Sequence, residues 1–227
     1  MSRAETETYA FDDSLPIEPI EAGSTVFVAG PALSRAEDLA LSLVADGGAA
    51  GDGMLFISTN NTSEKLLGSC QRLRPGFDAA RTGVIDCSGQ GLTPSKFDAE
   101  IKTISTQSDL TGIGMKFSAL YEGLYMKADE RVRTGLISLS SLLMYVDLRS
   151  LFRFVQTISG RIDSAGGLGV FSIDPTTHDE QTVNTLSQAA DGRIEVREAE
   201  DGDADGELRV RGLPNQPEGW QPFSLPE

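Results

Sequence analysis

The stretch VFVAGPALSRAEDLALSLV, residues 26–44, decides the fold of this chain. It opens with four apolar residues followed by Gly30 and Pro31, which is typical of a buried strand that ends in a turn. From Ser34 onward, apolar residues recur at the spacing of an amphipathic helix. The stretch therefore predicts a strand, a tight turn and a helix that packs back against the sheet.

The same alternation of strand and helix continues along the chain, interrupted by a loop-rich stretch at 90–110. Strands that alternate with helical segments favour a mainly parallel sheet covered on both faces, which is a three-layer α/β fold. A closing hairpin, with its turn in the acidic run 200–206, predicts antiparallel strands at one edge. The predicted strands span 24–30, 53–59, 82–89, 133–141 and 168–174, and those of the hairpin span 193–199 and 207–213.

The chain is long enough to bury one large core without disulfides or metals. Residues 1–22 are polar and acidic and are predicted to be a tail or linker. The α/β domain is predicted to span 23–213. Residues 214–227 form a proline-rich tail, in which we expect Trp220 and Phe223 to pack onto the domain.

Charge is the most pronounced feature of the composition. The chain has 34 acidic and 19 basic residues, a net charge of −15, and only five lysines. Such a surface suits a protein kept in very high salt, where screening over about 3 Å at 1 M removes the self-repulsion. We therefore expect a halophilic source, the alternative being an ordinary acidic protein. Nucleic acid is an unfavourable partner, because its binding depends on clustered lysine and arginine.

Other sequence features exclude several classes of protein. No apolar run approaches the roughly 20 residues that span a bilayer, so no membrane partner is expected. The amino terminus lacks a signal pattern, which predicts a cytoplasmic protein. Cys70 and Cys87 lack metal-ligand spacing and are predicted to be buried free thiols. His178 is the only histidine, so a multi-histidine metal site is excluded.

Five stretches that follow or span predicted strands carry a resemblance: GPALSRAE (30–37), FISTNNTSEKLL (56–67), VIDCSG (84–89), LISLSSLLMY (136–145) and LSQAADGRIEV (186–196). Together, in their order and spacing, they resemble the RecA superfamily, specifically its KaiC-like and archaeal RadA-like branch. The resemblance implies a RecA-like sheet with a nucleotide site at the carboxyl ends of its strands. The first stretch stands in the place of the family's GPPGTGKT phosphate loop (Walker A).

The phosphate loop is degenerate in this sequence. Ala36 stands at the position of the family's lysine, and Glu37 at the position of its magnesium-binding hydroxyl. A carboxylate about 4 Å from a phosphate charge costs about 4 kcal/mol at an effective dielectric of 20, roughly a thousandfold in affinity. The positions of the degenerate loop are Gly30, Pro31, Ser34, Arg35, Ala36 and Glu37.

The carboxylates of the family's site are also missing. The paired glutamates after the second strand correspond to Asn60 and Asn61, whose amides cannot take up a proton. The magnesium-linked aspartate of the fourth strand (Walker B) corresponds to Ile137 or Ser138, depending on a one-residue register. The sequence therefore predicts no catalytic residue, no metal and no cofactor.

These losses favour a non-catalytic RecA/KaiC-like protein that regulates or binds a partner, in a haloarchaeon. The alternative is a nucleotide-binding ATPase or switch that holds ATP with non-standard ligands, Arg35 above all. On the non-catalytic interpretation, residues 30–37 form an ordinary strand–turn–helix. Ser34 then caps the helix, and Glu37 completes a capping box.

The predicted helix within 109–126 carries more apolar residues than one helix face needs to cover a sheet. A packed core helix is one interpretation, and a surface for a protein partner or for self-association is the other. The residues of this candidate partner surface are Ile113, Met115, Phe117, Tyr121 and Tyr125.

Overall fold

A computed structural model describes residues 7–90, 95–128, 130–199 and 204–226. Two of its strands form a small amino-terminal hairpin, and nine form the main sheet within these ranges. The strands are β1 (Thr8–Tyr9), β2 (Ile20–Glu21), β3 (Thr25–Ala29), β4 (Gly53–Ser58), β5 (Thr82–Asp86), β6 (Glu100–Thr103), β7 (Val132–Ile137), β8 (Leu168–Ile173), β9 (Gly192–Arg197), β10 (Gly206–Arg211) and β11 (Gln221–Phe223).

The main sheet has the strand order β11-β10-β9-β3-β8-β7-β4-β5-β6. The strands from β9 to β6 are parallel, while β10 and β11 add an antiparallel edge. In β3, β4, β7 and β8 every residue is buried, as is typical of parallel strands covered on both faces. Because parallel strands end at the same edge, the turns after these four strands meet there.

Helices cover both faces of the sheet. They are α1 (Ala36–Ala45), α2 (Gly47–Ala50), α3 (Ser63–Leu73), α4 (Leu110–Lys127), α5 (Leu139–Leu143), α6 (Leu148–Ser164) and α7 (Glu180–Ser187). The helices α1 and α3 pack with one core cluster, and α4 to α7 pack with the other. The predicted three-layer α/β fold, with its carboxyl-terminal antiparallel hairpin at the edge, is confirmed. Within the described ranges, no helix is long and apolar enough to cross a membrane.

The amino-terminal segment differs from the tail that the sequence predicts. Residues 7–22 pack against the domain through side chains that are almost fully buried, and residues 1–6 lie outside the described part of the chain. The segment is acidic, but its few apolar residues join the same core cluster as α1 and α3. These residues are Tyr9, Leu15, Ile17 and Ile20.

A buried ion network holds this segment in place. Asp52 is fully buried and accepts hydrogen bonds from Nε of Arg131 and Nε of Arg133, each at 2.8 Å. The two guanidinium groups also donate to the carbonyl oxygens of Thr8 and Ala10, each at 3.0 Å. The charge of Asp52 is therefore compensated, and its two arginine partners fix the backbone of residues 8–10.

The ends of several elements also differ from their predicted positions. The fourth predicted strand ends at Ile137, because the chain turns there into α5. The strand β6 lies within the predicted loop-rich stretch, of which residues 91–94 are outside the described ranges. Residues 200–203 of the acidic hairpin turn are also outside them. Phe223 is buried in β11, and the Trp220 ring contacts two arginines of the hairpin.

Candidate functional site

A cleft of about 230 Å³ opens at the carboxyl edge of the sheet. This volume is below the range of roughly 300–1,000 Å³ that is typical of small-molecule sites. The cleft lies where the turns after β3, β4, β7 and β8 meet. It is lined by Gly30, Pro31, Ala32, Ala36, Glu37, Asn60, Ser138, Ser140, Ser172, Ile173, Asp174 and Thr177.

The loop between β3 and α1 is filled by its own atoms. Ser34 is fully buried, and both its hydroxyl and its N–H donate to the carbonyl of Pro31, at 2.7 and 3.0 Å. A Cβ placed on Gly30 would lie only 2.6 Å from the hydroxyl oxygen of Ser34. The predicted capping box is therefore wrong: the Ser34 hydroxyl is committed to Pro31, and the cap position of α1 is Arg35, which makes no side-chain cap.

Arg35 points away from the cleft. Its backbone has φ of 62°, in the left-handed region that non-glycine residues rarely adopt. Its guanidinium pairs with Asp38 at 2.9 Å, through Nε, and with Asp205 at 3.5 Å. The arginine that the nucleotide-binding alternative needs is therefore paired with carboxylates outside the cleft lining.

Glu37 forms the centre of a hydrogen-bonded cluster that joins two turns of the chain. Its Oε2 accepts from Nδ2 of Asn60 at 2.9 Å, and its Oε1 accepts from Nδ2 of Asn61 at 3.1 Å. The Asn61 amide also donates to Oδ1 of Asn60 at 3.1 Å. We call Glu37, Asn60 and Asn61 the amide clamp. It brings together positions 37, 60 and 61, which the sequence assigns separately to the degenerate site.

Burial dominates the electrostatics of the amide clamp. Partial burial raises the pKa of Glu37, and the hydrogen bonds from Asn60 and Asn61 lower it by less than burial raises it. Among the described residues that line the cleft, Asp174 is the second carboxylate, and none is lysine or arginine. No group of three or more potential metal ligands occurs in the described ranges. The cleft thus presents hydrogen-bond acceptors and negative charge.

The two residues that the sequence predicts at the position of the magnesium-linked aspartate make structural contacts. Ile137 is fully buried in the core, and Ser138, with φ of 75°, caps α5 through its hydroxyl. The hydroxyl of Thr59 donates to the carbonyls of Ile137 and Ser138, at 2.6 and 2.8 Å. The N–H of Ser138 donates to the hydroxyl of Ser172 at 3.2 Å. The polar atoms at the ends of β4, β7 and β8 therefore bind one another.

The candidate partner surface on α4 is only partly a surface. Ile113, Phe117 and Tyr121 are buried in the core, which corrects their assignment to a partner surface. The helix α4 lies on β4 and β5 and also contacts α6, so it buries two sides rather than one. Met115 is 66% exposed, and Tyr125 is partly exposed.

Large apolar residues that the sequence analysis missed are exposed near the cleft. Leu33 is 84% exposed in the loop after β3, and Met144 and Tyr145 are exposed just after α5. Both segments follow strands whose carboxyl ends surround the cleft. For Leu33, the sequence carries a signal of this exposure, because leucine stands at a turn position where glycine or a polar residue is common.

The sheet order and the helices on both of its faces define a three-layer α/β protein with a RecA-like fold. The chain belongs to a family of unknown function, DUF7504, whose family profile matches residues 23–196. The fold is similar to that of a KaiC-like protein from the hyperthermophilic archaeon Pyrococcus horikoshii OT3, with a TM-score of 0.69. That similarity covers 98% of this chain and 100% of the other at 10% sequence identity, which shows the fold alone. Among curated proteins, none matches the sequence.

Proposed function

We propose that this chain is a non-catalytic RecA/KaiC-like protein, a pseudo-ATPase that acts by binding a protein partner in the cytoplasm of a halophilic archaeon. One observation carries the proposal. The carboxylate of Glu37, held by Asn60 and Asn61, occupies the part of the loop where a phosphate-binding site needs a hydroxyl and a cation.

Electrostatics argue against a bound triphosphate. A phosphate about 4 Å from the ionised Glu37 would lose about 4 kcal/mol at an effective dielectric of 20. This loss is roughly a thousandfold in affinity, and the described lining of the cleft offers no cation to offset it. The hydrogen bonds of the loop also argue against phosphate binding, because the N–H of Ser34 already donates to the carbonyl of Pro31.

The chemistry of hydrolysis also lacks its parts. A phosphoryl-transfer site needs a carboxylate to hold magnesium and another group to orient the attacking water. Here Ile137 and Ser138 stand where the first is expected, and the amides of Asn60 and Asn61 stand where the second is expected. The amides donate to Glu37, so the polar groups that surround the cleft serve its internal structure.

The rest of the molecule supports binding of a partner. Exposed Leu33, Met144 and Tyr145 border the edge at which relatives with intact motifs would hold nucleotide. Large apolar side chains that remain this exposed on segments at one edge of the sheet favour a protein contact. The acidic, lysine-poor composition supports the proposed halophilic source, since a net charge of −15 is tolerated best where salt screens it.

Isothermal titration with ATP and Mg²⁺ in molar KCl tests this proposal. We expect no binding heat at concentrations up to about 1 mM, where a site of 1 mM affinity has only about −4 kcal/mol of binding free energy. A KaiC-like ATPase with intact motifs serves as the positive control in the same buffer. Because Arg35 is paired with Asp38 and Asp205, the Arg35→Ala variant is expected to give the same ATP titration as the unchanged chain. Micromolar binding with turnover would overthrow the proposal.

A further inference from the structure

We propose that the groove between α4 and α6 is a docking surface for an acidic amphipathic helix of a different protein. This inference rests on the partner-binding half of the proposed function and does not depend on the state of the cleft. It specifies which face of the molecule is used and the chemistry of the partner.

The groove lies between α4 and α6, on the face of the molecule opposite α1 and α3, and the contact between Arg161 and Ser118 crosses it. Two hollows, of about 540 and 270 Å³, share Ser118 and Arg161 as lining residues. A Cβ added at Gly114 would meet no atom within 4 Å, so open space lies above α4 at this point. The depression follows α4, whose 18 residues correspond to about 27 Å of helix.

The larger hollow has an apolar floor and an adaptable rim. Phe154 and Ile158 are buried along its base, while Met115 is 66% exposed at its edge. Met126, near the other end of α4, is 78% exposed. Methionine side chains adapt to the surface of a partner and are frequent where a protein receives an apolar helix.

The charge at the groove is opposite in sign to that of the whole molecule. Among the charged side chains that line the two hollows, Arg153 and Arg161 stand against Glu122, a net charge of +1 in a chain whose net charge is −15.

The arginines of α6 lack carboxylate partners. In the described part of the chain, no carboxylate forms an ion pair with Arg149, Arg153 or Arg161. Arg161 reaches across the groove and donates to the hydroxyl of Ser118, which is a neutral group. With 34 acidic residues in the chain, this leaves positive charge available at the groove for the carboxylates of a partner.

The charge also decides between a different protein and a second copy of this chain. A two-fold symmetric dimer would place the same surface patch on both subunits. Arg153 and Arg161 of one copy would then face the same arginines of the other, and juxtaposed like charges disfavour association. A helix with an apolar stripe and acidic flanks instead fits the apolar floor and places carboxylates beside Arg153 and Arg161.

Two labelled peptides test the groove at the lowest KCl concentration at which circular dichroism shows the chain folded. Both are helical and about 18 residues long, which matches the length of α4. Both carry a leucine stripe, flanked by glutamates in one and by lysines in the other. We expect the glutamate peptide alone to bind, and a photoreactive group on it to cross-link to α4 and α6.

Two variants of the chain test the role of charge in the groove. Arg153→Glu should weaken binding of the glutamate peptide at least about tenfold. The control Arg72→Glu changes an exposed arginine on α3 and should leave the affinity unchanged.

Three results would overturn the inference: equal binding of both peptides, an unchanged affinity in Arg153→Glu, or cross-links elsewhere. If the chain alone forms a dimer in solution and Met115→Glu makes it monomeric, the groove binds a second copy of this chain instead of a different protein. The failures of the two proposals are distinguishable. If the chain binds both nucleotide and the glutamate peptide, the pseudo-ATPase proposal is rejected and the docking surface is retained. If it binds neither, only the docking surface is rejected.

Discussion

Replacing Asn61 with alanine removes one of the two amides that hold the carboxylate of Glu37. In the intact chain, Nδ2 of Asn61 donates to Oε1 of Glu37 at 3.1 Å. If the amide clamp holds an ionised carboxylate, the loss of this donor must depend on the charge of Glu37. The variant therefore tests whether an anion occupies the cleft.

The structure sets the size and the sign of the effect. A hydrogen bond to a charged group contributes about 1.5–3 kcal/mol, and partial exposure of Asn61 places this one near the lower end. Removing the donor disfavours the ionised carboxylate and raises the already elevated folded pKa of Glu37 further. The destabilisation by Asn61→Ala should therefore be complete above the folded pKa of Glu37 in the variant. It should disappear as the pH falls below the folded pKa of Glu37 in the unchanged chain.

Urea unfolding in about 2 M KCl at several pH values, in a double-mutant cycle, measures this coupling. We expect Asn61→Ala to lower the free energy of unfolding by about 1.5 kcal/mol at neutral pH. In a Glu37→Ala background the same change should cost no more than about 0.5 kcal/mol. Asn184→Ala, at an exposed position of α7, is the matched control and should show no dependence on pH. An equal cost of Asn61→Ala in both backgrounds would refute the amide clamp.

Three further predictions concern the fold and the loop. Asp52→Ala leaves the buried Arg133 uncompensated and should cost about 3–5 kcal/mol in urea unfolding, with residues 7–22 becoming sensitive to protease. Arg35→Gly should be about 1 kcal/mol more stable than Arg35→Ala, because glycine relieves the left-handed backbone; equal stabilities would contradict this. Burial raises the pKa of Cys87 to about 12, so the thiol should resist alkylation at about pH 8 until the chain unfolds; rapid native labelling would show otherwise.

The central sheet could be predicted from the sequence because its strands are buried on both faces. Runs such as those at 24–30 and 168–174 are almost wholly apolar, and the helices between them carry clear amphipathic spacing. The strand β6 could not be predicted in this way. It is a short edge strand, Glu100–Thr103, in which Ile101 is the one apolar residue and no residue is fully buried.

The candidate site could be predicted only in part. The absence of a lysine at Ala36 and of carboxylates at positions 60 and 61 follows directly from the order of the residues. The contact between Glu37 and the two asparagines does not, because it joins turns about 23 residues apart along the chain. The sequence alone predicts a local capping box for Glu37, whereas in the structure the Glu37 carboxylate binds the amides of Asn60 and Asn61.

Burial of the amino-terminal segment and of α4 depends on contacts from elsewhere in the chain. The acidic composition of residues 1–22 conceals Tyr9 and Ile20, which join the core. The ring of Tyr9 lies against the guanidinium groups of two distant residues, Arg131 and Arg133. Because one helix face is enough to cover a sheet, the surplus apolar residues of α4 leave a packed core helix and a partner surface both open from the sequence. The neighbouring α6 buries part of that surplus and leaves a groove.

A crystal structure grown with ATP and Mg²⁺ would show whether phosphate binds in the cleft. We expect the loop at residues 30–37 to stay closed around Ser34, Glu37 to keep both asparagine contacts, and no phosphate density to occur in the cleft. Phosphates bound against residues 30–37, with the carboxylate of Glu37 displaced from Asn60 and Asn61, would contradict this expectation.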